Sequence, residues 1–381
     1  MKILYIIPNL RKGGAERLVL NICNELQKRQ DIKVKLITFS DINEYQFLTK
    51  NIEWEVVPSK VVPSITGKPV IEIDNYIKAV KNFKPDIIHS NLFEAEITSR
   101  KHIFSDVAYV THLHDNMKQF RNFSLKIILK KERFTDFYEK KLIISKYKQC
   151  KNNFIAVSKD TYDYFKQTLP KNLYNNIVLI PNAIDFNRFY TDMANRKSDY
   201  KSEKIKLITV GTLVKKKNQI FLIDVIKYLT KKGYNVCLDI LGEGNERKAI
   251  ESKINSETLQ DKIILRGKVE KVEDYLWESD IYVHSAVSES FGLTTLEAMA
   301  SGLPCISLDA KGNRDIVINN YNGYLIAKHD YKEFAEKIIR LIENKQLYQQ
   351  ISDNAVNTAK KYDIKEYADK LLEYYYEILR K

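Results

Sequence analysis

The chain alternates between short runs of apolar, β-branched residues and longer amphipathic stretches. The short runs predict β-strands at ILYII, VKLITF, EWEVV, DIIHS, VAYVTHL, FIAVS and IVLI, and further along at KLITVG, VCLDILG, KIILRG, IYVHSA and PCISLD. Amphipathic stretches that predict helices fall between most of these strands. A strand–helix alternation of this kind predicts an α/β fold with parallel sheets that are covered by helices on both faces.

A polar, turn-rich segment at residues 181–204 separates the two series of strands and predicts a linker. The chain has 381 residues, which is long for a single hydrophobic core. We therefore predict two doubly wound, Rossmann-like domains that face a cleft, over residues 1–185 and 186–363. Amphipathic helices are predicted near residues 331–344 and 364–379.

The formal net charge of +13 and the pI of about 9.2 suggest a polyanionic partner. Much of the excess lies between Lys118 and Lys151, where eleven Lys or Arg residues and three acids are mixed with aromatic and aliphatic side chains. This pattern suits a helix on an anionic membrane surface, and equally the solvated basic face of core helices. Nucleic acid binding is disfavoured because no helix-turn-helix, zinc-finger or RNA-binding aromatic motif occurs.

Other features bear on the location of the protein. No apolar run approaches the length of a membrane span. The apolar stretch that ends at Pro8 is short and precedes positive charge instead of following it, unlike a secretory signal. The four cysteines, at positions 23, 150, 237 and 305, show no CxxC or metal-ligand spacing. We therefore expect a cytoplasmic protein with reduced thiols.

Candidate site residues lie directly after strands, because ligands of open α/β sheets bind at the carboxyl ends of the strands. Gly13 and Gly14 follow the first strand and precede a helix, where the backbone can approach an anion closely. They do not form the GxGxxG pattern of dinucleotide sites, so an NAD-dependent dehydrogenase is poorly supported. The lysines of Lys215–Lys217 also follow a strand, where they predict either a phosphate-binding lip or a solvated lysine run.

Two histidines, His112 and His114, lie at the carboxyl end of the strand VAYVTHL. We expect their side chains to point to opposite faces, so that one packs under a helix and the other, His114, points into the ligand site. His89, near the end of the strand DIIHS, ranks below them as a candidate. A structural role is the alternative for all three histidines.

The segment SESFGLTTLEAMASG, residues 288–302, combines a loop that follows a strand with a predicted helix. Thr294 and Glu297 fit a capping box, which would explain this glutamate by helix capping alone. Neither Glu289 nor the Phe291–Gly292 pair is explained in this way.

The segment SESFGLTTLEAMASGLPCIS resembles the E-x7-E signature of retaining glycosyltransferases of the family 4 type, which have the GT-B fold. Further motifs of that family occur in the same order: GGAE, PDIIHSN, THLHD, FIAVSK, PNAID, VGTLVKKKNQ, ILGEG, LRGKV, GNRDIV and NGYLI. The resemblance implies an acceptor-binding domain over residues 1–185 and a donor-binding domain over residues 186–363. It also implies that the helix at about 364–381 packs back on the first domain.

The resemblance carries over roles for individual residues. His114 matches a histidine near the transferred sugar, Lys217 a lysine that neutralises the diphosphate leaving group, and Glu289 a glutamate beside the donor sugar. These three are the predicted catalytic residues, and Glu297 matches a glutamate that holds the nucleotide ribose. The remaining positions of the predicted donor site are Gly13, Gly14, Thr212, Gly267, Lys268, Val269, Phe291, Gly292, Leu293 and Thr294.

The chain departs from the family at Thr212, where the usual residue is arginine. An arginine there would form a fork of charge-assisted hydrogen bonds to phosphate, whereas threonine supplies one hydroxyl. Either Lys215 or Lys216 compensates, or the diphosphate binds less tightly.

The activity that the resemblance implies is retaining transfer of a hexose from a nucleotide-sugar, by family frequency a UDP-sugar, without a metal ion or other cofactor. The implied acceptor is a saccharide or polyprenyl-linked saccharide in bacterial surface polysaccharide synthesis, such as that of a capsule, at the inner face of the cell membrane. A GT-B nucleotide-sugar epimerase would share the fold. A non-catalytic module that binds membranes or nucleic acid would explain the charge but not the motifs.

Overall fold

The computed structural model describes four stretches of the chain, residues 1–63, 68–121, 131–191 and 204–380. The chain forms two compact units, Met1–Ala183 together with Ile364–Lys381, and Ile184–Asp363. We call these the first unit and the second unit. The sequence-based prediction placed the divisions after residues 185 and 363.

The first unit is built on parallel strands. Its strands are β1 (Lys2–Ile6), β2 (Lys33–Thr38), β3 (Trp54–Val56), β4 (Lys60–Val62), β5 (Val70–Glu72), β6 (Ile87–Asn91), β7 (Ala108–Leu113), β8 (Asn153–Ala156) and β9 (Ile177–Leu179). Seven of them form one parallel sheet in the order β3-β2-β1-β6-β7-β8-β9, and β4 pairs with β5 in a separate antiparallel pair. The strand order therefore reverses at β1.

Helices connect these strands and cover both faces of the sheet. They are α1 (Gly14–Leu26), α2 (Gln46–Thr49), α3 (Asp74–Phe83), α4 (Phe93–Ser99), α5 (Lys131–Gln149), α6 (Lys159–Thr168) and α7 (Lys171–Tyr174), with a 3₁₀ turn at Lys118–Phe120. Ile3 and Tyr5 of β1 pack in the same core as α1, whereas Leu4 and Ile6 pack in a core with residues of α3. Burial on both faces explains why β1 is a continuous apolar run.

The second unit repeats this design. Its strands are β10 (Ile205–Val210), β11 (Val236–Leu241), β12 (Ile263–Gly267), β13 (Ile281–His284), β14 (Cys305–Leu308) and β15 (Gly323–Ile326). They form a parallel sheet in the order β12-β11-β10-β13-β14-β15, which reverses at β10. The prediction of two doubly wound α/β units is therefore confirmed.

The helices of the second unit are α8 (Phe186–Phe189), α9 (Ile220–Lys231), α10 (Arg247–Ser256), α11 (Val272–Trp277), α12 (Leu293–Ala300), α13 (Tyr331–Glu343) and α14 (Lys345–Lys360). Two 3₁₀ turns, Lys215–Lys217 and Gly312–Asp315, follow β10 and β14. The sequence patterns did not predict β15 or α14. The segment 181–204, predicted as a linker, contains the short helix α8, and its residues 192–203 lie outside the described residues.

Helix α15 (Ile364–Arg380) follows the second unit in the chain but belongs to the first. Its residues Tyr367, Leu371 and Tyr375 are buried in the same core as Leu18 and Ile22 of α1. This burial explains the apolar positions of the amphipathic pattern that predicted the helix.

The basic segment, residues 118–151, is described in part, because residues 122–130 lie outside the described residues. Helix α5 forms most of the remainder, and its residues Ile143 and Tyr147 are fully buried in the first unit. This part of the segment is thus a core helix with a basic outer face. Phe134, near the start of α5, is exposed.

Among the described residues, no helix combines the length and the apolarity that a membrane crossing requires. The four cysteines are all free of disulfide bonds, as predicted. Cys23 and Cys305 are buried, and burial raises the pKa of both thiols.

Candidate functional site

In the second unit, two of the predicted residues follow neighbouring strands at the point where the strand order reverses. Lys217 lies in the 3₁₀ turn after β10, and Glu289 lies in the loop after β13. Strands β10 and β13 are hydrogen-bonded neighbours, with β11 on the other side of β10. The loops at such a reversal form the usual ligand site of an open α/β sheet.

Lys217 and Glu289 form an ion pair, in which Lys217 Nζ donates to Glu289 Oε2. The loops that carry them are joined by further hydrogen bonds. The Val287 N–H donates to the Lys216 carbonyl at 2.9 Å, and Ser285 Oγ donates to the Lys217 carbonyl at 2.9 Å. These contacts fix the ammonium group beside the carboxylate.

A histidine that the sequence analysis did not select lies beside this ion pair. His284 ends β13 and is buried, and its Nε2 atom lies 3.3 Å from Glu289 Oε2. Burial lowers the pKa of His284, so the ring is neutral near pH 7. Burial raises the pKa of Glu289, but the Lys217 ammonium and the His284 ring together lower it by more. The net pKa lies well below its ordinary value, and the carboxylate is ionised.

The loop after β14 holds the backbone of Glu289 in place. The Glu289 N–H donates to the Ala310 carbonyl, and the Gly312 N–H donates to the Glu289 carbonyl, each at 3.1 Å. A Cβ atom on Gly312 would lie 2.3 Å from the Glu289 carbonyl oxygen, so a larger residue cannot make this approach. Asn313 is fully buried and donates to Ser307 Oγ at 2.6 Å, which secures the loop.

Helix α12 starts from a left-handed glycine. Gly292 is the N-cap residue, with φ of 104°, and no side chain caps the helix. Thr294 Oγ1 instead accepts a 2.8 Å hydrogen bond from the Tyr282 hydroxyl. The capping-box interpretation of Thr294 and Glu297 is therefore wrong, because the helix begins at Leu293 and not after Thr294. The N–H groups of Leu293 and Thr294 have no acceptor within the helix and suit an anion.

Glu297 and Phe291 are both buried, with exposures of 3% and 2%. Glu297 lies one turn into α12. The ring of Phe291 packs edge-on against Tyr362, with 5.7 Å between the ring centroids. Because its side chain is committed to packing, Phe291 can meet a ligand only through its backbone.

Three side chains of the loop after β10 are exposed, those of Thr212, Lys215 and Lys216. The Thr212 carbonyl accepts a 3.2 Å hydrogen bond from the Gln219 side chain, which anchors the loop. Lys215 and Lys216, the two alternatives for replacing the missing arginine, are thus both accessible from solvent.

The predicted base-contacting loop, Gly267–Val269, begins at the end of β12. Gly267 has φ of 70°, and a Cβ atom there would lie 2.9 Å from Glu243 Oε1. The turn therefore favours glycine. Lys268 is exposed and Val269 is half-buried.

In the first unit, Gly13 and Gly14 lie at the start of α1. Gly13 is the N-cap residue, and it forms two hydrogen bonds with the Tyr45 hydroxyl, of 3.0 Å from its N–H and 2.9 Å to its carbonyl. A Cβ atom on Gly13 would lie 2.2 Å from Glu16 Oε2, so the glutamate folds back over the glycine. Burial raises the pKa of this Glu16 carboxyl.

The histidines of the first unit form a row. His114 follows β7 directly, and its ring stacks on that of His112 with 4.3 Å between centroids. The prediction that these two point to opposite faces is wrong, because residues two apart in a strand share a face. His89 of β6 continues the row at 5.1 Å from His112. Burial lowers the pKa of His114 to about 3 and lowers the pKa of the other two, so all three are neutral at pH 7.

The predicted residues divide between the two units. The second unit brings Lys217 and Glu289 into contact, and the first unit holds the paired glycines and His114. Sequence reasoning missed His284 and Gly312. A polar residue at the carboxyl end of an apolar strand was the available signal for His284, and the motif GNRDIV contained Gly312. Among the described residues, no group of three or more His, Cys, Asp or Glu has the arrangement of a metal site.

Two family models match the chain, one over most of each unit. The model described as Glycosyltransferase Family 4 matches residues 12–188, and the model described as Glycosyl transferases group 1 matches residues 192–358. The chain belongs to the glycosyltransferases of the family 4 type.

Two curated relatives are named as glycosyltransferases that act in polymer synthesis. A poly(glycerol-phosphate) alpha-glucosyltransferase of Bacillus subtilis is 27% identical over 169 residues, which are 44% of this chain and 25% of that protein. A capsular polysaccharide biosynthesis glycosyltransferase of Staphylococcus aureus is 30% identical over 216 residues, 54% of this chain and 56% of that protein. The chain thus spans about a quarter to a little over half of these relatives.

Solved structures share the fold of this chain. The structure of HepE from Anabaena, in complex with UDP and glucose, has a TM-score of 0.78 at 21% identity and covers 98% of each chain. This likeness confirms the predicted GT-B fold with two Rossmann-like domains.

Proposed function

We propose that the protein is a retaining glycosyltransferase that moves a hexose from a UDP-sugar to a saccharide or lipid-linked saccharide of a cell-surface polysaccharide. The observation that carries the proposal is the Lys217–Glu289 ion pair at the reversal point of the second sheet. A nucleotide-sugar presents an anionic diphosphate next to a sugar with several hydroxyls. The pair offers a cation to the first and a hydrogen-bond acceptor to the second at adjacent positions.

The comparisons support the substrate classes. The two curated relatives are named for poly(glycerol-phosphate) and capsular polysaccharide, which are cell-surface polymers. The HepE structure holds UDP and glucose. These names favour a UDP-sugar donor and a surface-polymer acceptor for this chain.

The proposed reaction breaks the bond between the anomeric carbon and the diphosphate oxygen. Positive charge then develops on the sugar ring and negative charge on the leaving diphosphate. Lys217 and the N-terminal end of α12 stabilise the negative charge. The acceptor oxygen bonds to the anomeric carbon on the face that the diphosphate leaves, and the leaving phosphate takes the acceptor proton. The configuration is retained, and transfer needs neither a second catalytic carboxylate nor a metal ion.

Roles for the remaining residues follow the family assignment. Glu289 binds the donor sugar, Glu297 binds the ribose, and His114 of the first unit acts near the transferred sugar. The first unit binds the acceptor. The basic segment attracts the anionic inner face of the cell membrane, where a lipid-linked acceptor would lie.

A thermal-shift comparison of UDP, GDP, ADP and NAD tests the donor class. We expect UDP to raise the melting temperature and NAD to leave it unchanged. Stabilisation by NAD alone would contradict the proposal.

A second assay separates a transferase from an epimerase. UDP release from a UDP-sugar is measured with and without acceptor, because an epimerase releases nucleotide without an acceptor and a transferase does not.

Two substitutions test the ion pair, Lys217→Met and Glu289→Gln. Each is expected to lower kcat on the order of 100-fold or more, the usual cost of removing one group that stabilises transition-state charge. Lys231→Met is the matched control, because Lys231 is an exposed lysine at the end of α9. Unchanged turnover in either site variant would contradict the assignment of Lys217 and Glu289 to the transfer reaction.

A further inference from the structure

The side-chain amide of Asn91 has one possible orientation. Asn91 is fully buried at the end of β6, and its Nδ2 atom lies 3.3 Å from the carbonyl oxygens of both Ile6 and His89. Carbonyl oxygens only accept hydrogen bonds, so the donating NH₂ group must face them. The hydrogen-bond network therefore assigns the amide without ambiguity.

The oxygen of this amide then faces His114. Asn91 Oδ1 lies 2.9 Å from His114 Nε2. An amide oxygen only accepts, so Nε2 must carry the proton of this hydrogen bond. In a neutral imidazole the second nitrogen, Nδ1, then has a lone pair and no proton.

The neutral state of His114 follows from its surroundings. Burial lowers its pKa to about 3. One face of the ring is covered by the ring of His112, with an interplanar angle of 22°. The partner at Nε2 is an uncharged amide, which does not stabilise an imidazolium as a carboxylate would.

The stack under His114 is itself clamped by helix α15. The Tyr367 hydroxyl lies 3.4 Å from His112 Nε2, and the Tyr375 hydroxyl is hydrogen-bonded to His89 Nδ1. The Tyr5 hydroxyl lies 2.7 Å from that of Tyr375. Because all of these side chains are buried, the His112 ring gives the His114 ring a fixed surface on one face.

We propose that Asn91 is a positioning residue, which holds His114 as the Nε2–H tautomer so that Nδ1 accepts a hydrogen bond from a hydroxyl of the transferred sugar. The tautomer follows from contacts within the first unit alone. Its consequence for transfer rests on the proposed function.

The tautomer is measured directly in the wild-type protein. Two-bond ¹H–¹⁵N correlation spectra of ¹⁵N-histidine-labelled protein distinguish the two neutral tautomers and the imidazolium, and His114→Gln identifies the signals of His114. We expect the Nε2–H tautomer at pH 7.5. An Nδ1–H tautomer or an imidazolium at that pH would overturn the proposal, whatever the variants do.

Two substitutions then separate positioning from structure. Asn91→Asp keeps an acceptor for Nε2–H, whereas Asn91→Leu has a similar size and no acceptor. We expect Asn91→Asp to keep the proton on Nε2 and to shift the ring towards the imidazolium, because its carboxylate stabilises that form, and Asn91→Leu to lose the Nε2–H signature. Asn322→Leu is the control, because Asn322 is equally buried and donates to a carbonyl and a hydroxyl in the second unit. It should leave the His114 signals unchanged.

Kinetics test the consequence for transfer. Asn91→Leu should lower kcat at least about tenfold and change KM for the donor by less than about threefold, because the ring acts on the reacting sugar and not on the nucleotide. Full activity in Asn91→Leu with a lost tautomer signature would overturn the positioning role. An inactive wild-type protein that shows the Nε2–H tautomer would support the assignment and contradict the proposed function instead.

Discussion

The Nε2 atom of His284 lies 3.3 Å from the same carboxylate oxygen of Glu289 that accepts the Lys217 ammonium. On its other side, His284 Nδ1 lies 3.5 Å from the hydroxyl of Tyr282, which donates to Thr294. A row of polar groups therefore joins the start of α12 to the ion pair. The buried ring of His284 thus lies directly beside the carboxylate that the Lys217 ammonium contacts.

The first prediction is that His284→Phe lowers kcat about tenfold, with a smaller change in KM. Phenylalanine keeps a ring of similar size but removes both nitrogens, so Glu289 keeps its cation and loses the polar atom that lies 3.3 Å from its carboxylate. Steady-state UDP release measures the effect. His329→Phe is the control, because His329 is an exposed histidine of the same unit. A kcat within twofold of the wild type would show that the contact does not matter for transfer.

The second prediction is that Gly312→Ala weakens UDP-sugar binding at least about tenfold, measured by titration calorimetry. The new methyl group would meet the Glu289 carbonyl, so the loop that holds the carboxylate must move. Gly233→Ala is the matched control, because Gly233 has φ of 91° and no atom within 4 Å of its Cβ position. It should cost about 1 kcal/mol of unfolding free energy through backbone strain and leave binding intact. Equal affinities in the two variants would contradict this account of Gly312.

The third prediction concerns acid. His89, His112 and His114 are neutral in the folded chain, whereas histidines of the unfolded chain protonate near pH 6.5. Below that pH the unfolded chain binds more protons, so the free energy of unfolding falls as the pH falls. Each histidine contributes a slope of about 1.4 kcal/mol per pH unit. Glu96 opposes this slope, because burial raises its pKa from 4.5 to about 7 and the folded chain takes up its proton first.

Urea unfolding at pH 7.5, 6.5 and 5.5 measures that slope. The chain has two tryptophans, Trp54 in the first unit and Trp277 in the second, so Trp277→Phe leaves a fluorophore that reports the first unit. In that background, His89→Phe combined with His112→Phe should flatten the slope, and His102→Phe, at an exposed position, should not. An unchanged slope in the double variant would show that these rings are not buried neutral.

The fourth prediction concerns Arg100, which is fully buried against the parallel sheet of the first unit. Its guanidinium donates to Asn152 Oδ1, Ser90 Oγ and Thr111 Oγ1 at 2.6 to 2.9 Å. Arg100→Met should destabilise the first unit by about 3–5 kcal/mol, because several buried acceptors lose their donor and Glu96 loses its nearby cation. Urea unfolding followed by Trp54 fluorescence in the Trp277→Phe background measures this loss of unfolding free energy. Lys101→Met, at the neighbouring exposed position, should change stability by less than about 0.5 kcal/mol.

The fold could be predicted from the sequence because local signals carry it. Strands such as β1 are buried on both faces, so a continuous apolar run between helices marks them without reference to the rest of the chain. Once the strands are located, their carboxyl ends are located too, and Lys217 and Glu289 were predicted as site residues because they follow such ends. Strand β15 and the antiparallel strands β4 and β5 are short, and their patterns are too brief to distinguish from loops.

The details of the site depended on contacts between distant residues. Gly292 takes φ of 104° beside Ile316, and this turn, which no local pattern specifies, starts α12 before Thr294. The capping box failed for that reason. The error at His112 and His114 was different, since the period of a strand places residues two apart on one face. His284 was missed because its importance depends on the loop that returns Glu289 beside it.

Helix α15 has a consequence for the order of events during synthesis. The second unit is one continuous segment, whereas the first needs Tyr367 and Tyr375 of α15 to complete the core that backs the histidine row. Those residues leave the ribosome after the whole second unit. The first unit therefore starts to be translated earlier but finishes folding later than the second unit. A chain that is interrupted before residue 364 has a complete second unit and an incomplete first unit.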